Sequence, residues 1–162
     1  MKAYVFHGPR GSAWEDVPDP GVQEPTDAIV RVDDVTLCGT DLHILKGDVP
    51  EVRPGTVLGH EAVGEIVDVG GDVRTVRPGD RVLVGIKNVT ITTGLVDTYS
   101  TPTLLRMAAA GRLPTGQLVT HTFPLNHMEE AYDVFARAAD TGALKVVLGE
   151  EPHEEVVPYR AA

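Results

Sequence analysis

With 162 residues the chain is about one domain long by the usual relation of length to domain number, and long enough to bury a real core. Its apolar fraction of 42% is that of a globular protein, and its net charge of −10 argues against nucleic acid or an anionic membrane surface as a partner. A single cysteine excludes an intrachain disulfide framework, and neither a signal-peptide pattern nor an apolar run of roughly 18 residues is present, so a soluble cytoplasmic protein is expected.

Residues 2–6 read as a short strand, His7-Gly8-Pro9-Arg10-Gly11 as a turn, and residues 13–17 as a second strand. Pro18, Pro20, Gly21 and Pro25 make an irregular connector. Residues 27–37 alternate, with Ile29, Arg31, Asp33 and Val35 on one side and Val30, Val32, Asp34 and Thr36 on the other, which predicts a long strand. A short helix is expected over 40–46, stopping at Gly47, followed by a Pro- and Gly-containing loop over 48–58. The next strand, 61–69, contains Gly64, where a bulge or a close backbone approach is expected. Gly70-Gly71-Asp72 turns the chain, and residues 80–84 give a further strand. Short strands with frequent turns point to a partly open β-barrel.

The second half changes character. Asn88-Val89-Thr90-Ile91-Thr92-Thr93 is β-branched and polar by turns and predicts a strand. Thr101 is placed as an N-cap with Pro102 at the first helical position, opening a helix that Gly111 closes. Residues 118–122 predict a short strand. Asn126 with Glu129 suggests a capping box, opening a helix over 126–139 that buries Met128, Tyr132 and Phe135 on one stripe. Residues 145–148 give a last strand, and the charged tail from Gly149 is expected to fray.

Chemistry concentrates in two short segments. Leu37-Cys38-Gly39-Thr40-Asp41-Leu42-His43 and Gly59-His60-Glu61-Ala62-Val63-Gly64 supply one thiol, two imidazoles, a hydroxyl and two carboxylates. A soft thiolate, a histidine and nearby carboxylates suit zinc. Taken singly, each residue keeps an ordinary reading beside the functional one. Cys38 is a small buried hydrophobe or a ligand, favoured as thiolate by the following helix start. His60 is a turn histidine or a ligand, with Asp41 the natural acceptor for its second nitrogen. Glu61 is a solvated acid or a ligand, Thr40 a helix cap or a proton-relaying hydroxyl, and His43 a surface histidine or a base. His7, His121, His127 and His153 have no ligand-spaced neighbours and read as surface or packing residues.

The second segment, extended to Gly70 and Val73, resembles the zinc signature G-H-E-x2-G-x5-G-x2-V of the zinc-dependent medium-chain alcohol dehydrogenases, matching at Gly59, His60, Glu61, Gly64, Gly70 and Val73. Cys38-Gly39-Thr40-Asp41-x-His43 is similar to that family's first-ligand segment, and Val76-Arg77-Pro78-Gly79-Asp80-Arg81-Val82 to the V-x-P-G-D-x-V run beyond the signature. The resemblance implies a GroES-like catalytic domain: mainly β with α (α+β), a partly open β-barrel with a few helices and no Rossmann domain. Beyond Val84 it jumps. The family's Cys-rich structural-zinc lobe and its Rossmann fingerprint have no counterpart, since no cysteine follows Cys38 and no G-x-G-x-x-G occurs. Residues 88–148 instead resemble the family's C-terminal end. The expectation is one GroES-like domain over 1–148, in which N-terminal residues 1–84 are joined to C-terminal residues 85–148 across an internal deletion near Val84-Gly85-Ile86, with a tail over 149–162. An engineered deletion is favoured over natural loss, because both flanks read as ordinary family sequence.

The resemblance also implies the roles. Zinc is held by Cys38 and His60, with Glu61, Asp41, a neighbouring molecule or solvent completing the set where the family's third ligand is missing. Thr40 takes the substrate proton and His43 is the relay's exit. The implied chemistry is interconversion of a small alcohol and its carbonyl, using NAD(P) in the intact family. No binding site for that cofactor is expected here, and therefore little dehydrogenase activity. The rival reading is a non-catalytic metal-binding or structural scaffold. An orphaned strand over 88–93 predicts self-association through an unpaired edge.

Overall fold

The computed structural model describes residues 1–84 and 99–149. The strand expected over 88–93 and the tail from residue 150 lie outside the described residues. Strand outweighs helix, as the α+β reading requires. Among the described residues the strands form two open sheets, and neither closes on itself.

The smaller sheet is built on β1 (Lys2–Gly8), in which Ala3, Tyr4, Val5 and Phe6 are all buried. β1 is therefore buried on both faces and shows no polar–apolar alternation. β1 pairs antiparallel with β2 (Gly11–Asp16) on one side. On the other it takes β4 (Thr56–Val57), a two-residue strand inside the stretch expected to be loop. The pairing continues past the short strand, with the Leu58 amide donating to the Tyr4 carbonyl at 2.9 Å.

The larger sheet has the order β6-β5-β3-β8-β7, with β3 (Ala28–Thr36) at its centre. β3 pairs antiparallel with β5 (Ala62–Val69), which in turn pairs antiparallel with β6 (Arg81–Val84). The even alternation read over 27–37 is broken once, at Asp33, which is extra between Val32 and Asp34, while a second register shift at Ile29/Val30 comes from the extra residue Val67 on β5. Opposite Val32 stands Gly64, where a Cβ would lie 2.1 Å from the Arg31 carbonyl oxygen. At Gly70 a Cβ would meet the Pro25 carbonyl at 2.3 Å. These two glycines of the signature are therefore demanded by the approach of a neighbouring backbone.

The C-terminal elements complete the sheet and the core. β8 (Lys145–Gly149) inserts beside β3, antiparallel, and β7 (Val119–Pro124) lies parallel to β8 at the edge. Val146 and Leu148 of β8 are fully buried, a burial worth about 1.5–3 kcal/mol for each side chain. They pack with Tyr4, Phe6, Leu37, Leu58 and helix α3 (Met128–Ala136). Met128 and Tyr132 of α3 are buried and Phe135 packs at the margin, which is the expected stripe. Tyr132 stacks on Tyr4 with ring centroids 4.9 Å apart.

Helix ends depart from the sequence reading. The helix α2 runs Thr101–Ala109, but Ser100 rather than Thr101 flanks it, already in right-handed helical conformation. Its carbonyl accepts from both Thr103 and Leu104 at 3.0 Å, and no side chain caps the end. Asn126 sits within a 3-10 turn, Leu125–His127, so it lacks the extended backbone a capping residue needs, and the box with Glu129 does not form. The helix expected to reach 139 breaks at Arg137 and resumes as α4 (Ala138–Thr141), ended by Gly142. No described helix is long and apolar enough to cross a membrane.

Candidate metal centre

Cys38 and the pair His60-Glu61 sit at two neighbouring strand ends. β3 runs out at Thr36, and two backbone hydrogen bonds fix the path of the chain there. The Thr36 amide donates to the Glu61 carbonyl at 2.9 Å, and the Leu37 amide to the Val146 carbonyl at 3.2 Å. Leu37 is buried beneath the site. Cys38 is the last extended residue before helix α1 (Gly39–Lys46), whose C-terminal cap is Gly47 as expected. Gly59, at φ +103°, turns the chain into His60 in a conformation a side chain would resist.

One ligand atom each from Cys38, His60 and Glu61 lie within 4.8 Å of one another. Sequence reasoning nominated all three, and the fold brings them together from positions 38, 60 and 61. Asp41 lies behind them, with no exposed surface. Its Oδ2 accepts the Cys38 amide at 3.1 Å, which holds the cysteine at the helix start. Its Oδ1 has no well-aligned hydrogen bond and faces His60 Nδ1 at 3.3 Å. A carboxylate on Nδ1 leaves Nε2 as the free ring nitrogen, the arrangement usual behind a histidine ligand. Burial raises the Asp41 carboxyl above its ordinary value, against the opposing pull of the Cys38 amide and the His60 ring. A thiol, an imidazole backed by a buried carboxylate and a second carboxylate make a donor set that fits zinc.

Thr40 and His43 diverge. Thr40 Oγ1 is 3.6 Å from Cys38 Sγ, beside the cluster. It is not the helix cap, since Cys38 holds that position. His43 points to solvent, 62% exposed, and its Nδ1 pairs with Asp48 Oδ2 at 2.9 Å. The structure therefore places the hydroxyl beside the Cys38 thiol and the imidazole at the surface against Asp48.

Three neighbours of the cluster carried no local signal. The Thr36 hydroxyl donates to Glu61 Oε2 at 2.5 Å. Lys145 Nζ pairs with the same Oε2, and reaches the Leu37 carbonyl at 3.4 Å. Burial alone would raise the Glu61 carboxyl, but the bonds from Lys145 and Thr36 and the ammonium charge overcome it, leaving the carboxyl below its ordinary value. Tyr132, from α3, has its phenol pushed far up, by burial first and then by the charge of Asp41. Lys145 is 84 residues from Glu61 in the chain, so no window of sequence contains the pair.

The profile of the alcohol dehydrogenase GroES-like domain matches residues 24–105. The chain belongs to this family. Among curated relatives it is 48% identical to the medium chain reductase/dehydrogenase ucsI of an Acremonium species over 83 residues, 51% of this chain and 28% of that protein. It is 47% identical to an alcohol dehydrogenase of Cupriavidus necator over 85 residues, 52% of this chain and 23% of that one. The matched segment of the chain thus spans less than a third of the length of these relatives. The solved apo form of zinc dependent alcohol dehydrogenase 2 from Streptococcus pneumonia superposes with a TM-score of 0.83, covering 93% of this chain and 99% of that one. At 20% identity this likeness speaks for the fold alone. Homology to zinc-dependent alcohol dehydrogenase catalytic domains and a Cys/His/Glu cluster are therefore both in hand.

Proposed function

We propose that the chain is the zinc-binding catalytic domain of an alcohol dehydrogenase, holding zinc at Cys38, His60 and Glu61 with Asp41 behind His60. The observation that carries this is the convergence of the three ligand atoms over a buried carboxylate that faces the histidine ring. Zinc bound there supplies Lewis-acid polarisation of an alcohol or carbonyl oxygen. The protein's own residues then have separable tasks. Asp41 orients the imidazole and fixes the Cys38 loop through its amide. The Thr40 hydroxyl, beside the thiol, is the group in position to take a proton from a substrate oxygen. His43, exposed and paired with Asp48, is the group at which a proton relayed from Thr40 would leave the site.

No residue is assigned to a nicotinamide. The sequence has no G-x-G-x-x-G, and among the described residues the one parallel strand pair is β7 with β8. The expected consequence is metal binding with little hydride transfer by this chain alone. The one-domain division over 1–148 belongs to the same proposal. It is supported by the way α3 and β8 share the core of the N-terminal elements.

Cobalt substitution tests the site. Cobalt(II) bound to a thiolate gives a near-ultraviolet charge-transfer band. The band is expected in the wild-type protein, and expected to vanish in Cys38→Ser and to weaken in His60→Ala. Cobalt binding with no thiolate band would refute the assignment of Cys38. Turnover of a simple alcohol with either nicotinamide, abolished by Cys38→Ser, would refute the expectation of little activity.

A further inference from the structure

Lys145 is the first residue of β8, and its side chain reaches back into the metal centre. Its ammonium contacts both ligand-bearing segments at once. It pairs with Glu61, the residue after His60, and approaches the carbonyl of Leu37, the residue before Cys38, at 3.4 Å. Glu61 Oε2 thus receives the Lys145 ammonium and the Thr36 hydroxyl together. One cation bridges the two segments that a metal ion would bridge, using a carboxylate that the metal would also use.

We infer that Lys145 is an internal stand-in for the metal ion: it ties the Cys38 and His60-Glu61 segments together in the metal-free protein and competes with a divalent cation for Glu61. This inference rests on the metal-site reading above. The physical argument is electrostatic. A carboxylate shared between a hydroxyl, an ammonium and a divalent ion must bring the two cations within a few ångströms, where like charges repel strongly in a partly buried setting. Entry of the metal therefore requires the ammonium to loosen its hold on Glu61. The same contact stabilises the metal-free form, because it neutralises the Glu61 carboxylate beside the buried Asp41. The alternative role for Lys145, orienting Glu61 toward the metal through Oε2 while Oε1 coordinates, has the opposite consequence for affinity.

The test is zinc affinity by competition with a chromophoric chelator, together with thermal unfolding with and without zinc. It uses the full chain as wild type, Lys145→Met, Lys145→Gln, Lys145→Arg, Glu61→Gln and the Lys145→Met/Glu61→Gln double variant. Removal of the ammonium is expected to tighten zinc binding by about ten-fold or more, in both Lys145→Met and Lys145→Gln. Lys145→Arg, which keeps the charge, is expected to stay within about three-fold of wild type. In the Glu61→Gln background the gain from Lys145→Met is expected to disappear, since the two residues act as one unit. Metal-free Lys145→Met and Lys145→Gln should unfold at lower temperature than wild type and gain more from added zinc. Unchanged or weaker zinc binding in Lys145→Met and Lys145→Gln overturns the stand-in while leaving the metal site intact. Absence of zinc binding in the wild type and in every variant overturns the metal site and the stand-in with it.

Discussion

Two regions of this chain carry equally plain local signals and end up differently supported. The turn from β3 into α1, facing the Gly59-His60-Glu61 turn, is pinned from several directions. Leu37 and Asp41 are buried, β8 hydrogen-bonds to Leu37, and Gly64 admits the Arg31 carbonyl where no side chain fits. Helix α2, introduced by a Ser-Thr-Pro start, buries none of its residues. Leu104 and Leu105 are about half exposed, at 48% and 51%, and Tyr99 just before the helix is 89% exposed. Local propensity alone is enough to start either element. What separates them is non-local packing, and only the first region can hold atoms to the tolerance that metal binding needs.

The largest effect is expected where backbone meets backbone. Gly64→Ala puts a Cβ 2.1 Å from the Arg31 oxygen, and the forced separation of β3 from β5 should cost about 3 kcal/mol or more in chemical denaturation. A variant as stable as wild type would show that the sheet there adapts, and that the contrast with α2 is overstated. Next comes the proposed ligand: Cys38→Ser is expected to lose zinc affinity by roughly 100-fold or more while keeping the wild-type circular dichroism spectrum. A smaller loss is expected for Asp41→Asn, about 10- to 100-fold in zinc affinity, because the amide still accepts from Cys38 but no longer supplies charge behind His60. The metal-free Asp41→Asn protein should be no less stable than wild type, since a buried carboxylate with one poorly partnered oxygen has been removed. A fall in metal-free stability would show that Asp41 serves the fold before the metal. The smallest effect belongs to α2, where Leu105→Ser is expected to change stability by no more than about 0.5 kcal/mol. A loss of several times that amount would mean that Leu105 is packed, and would erase the contrast.

The same division decides what could be read from the sequence. The segments bearing Cys38 and His60-Glu61, the helix closed by Gly47, the need for a glycine at 64 and the stripe of Met128 and Tyr132 were all legible, because each is written within a few residues. The partners of Glu61 were not. Thr36 ends one strand and Lys145 begins another, and only the insertion of β8 beside β3 brings the ammonium to the carboxylate. The register shifts were hidden for a related reason, since one of them comes from an extra residue on β5, Val67, and leaves no mark in the sequence of β3. His43, read as a surface histidine or as the exit of a proton relay, lies at the surface, where the Asp48 carboxylate five residues on pairs with its ring.

The most direct test of the central claim is the zinc content of the purified chain by elemental analysis, wild type beside Cys38→Ser. The account predicts about one zinc per wild-type chain and none in the variant, in keeping with a single site built on a thiolate. Zinc absent from the wild type, or retained in full by Cys38→Ser, would contradict it.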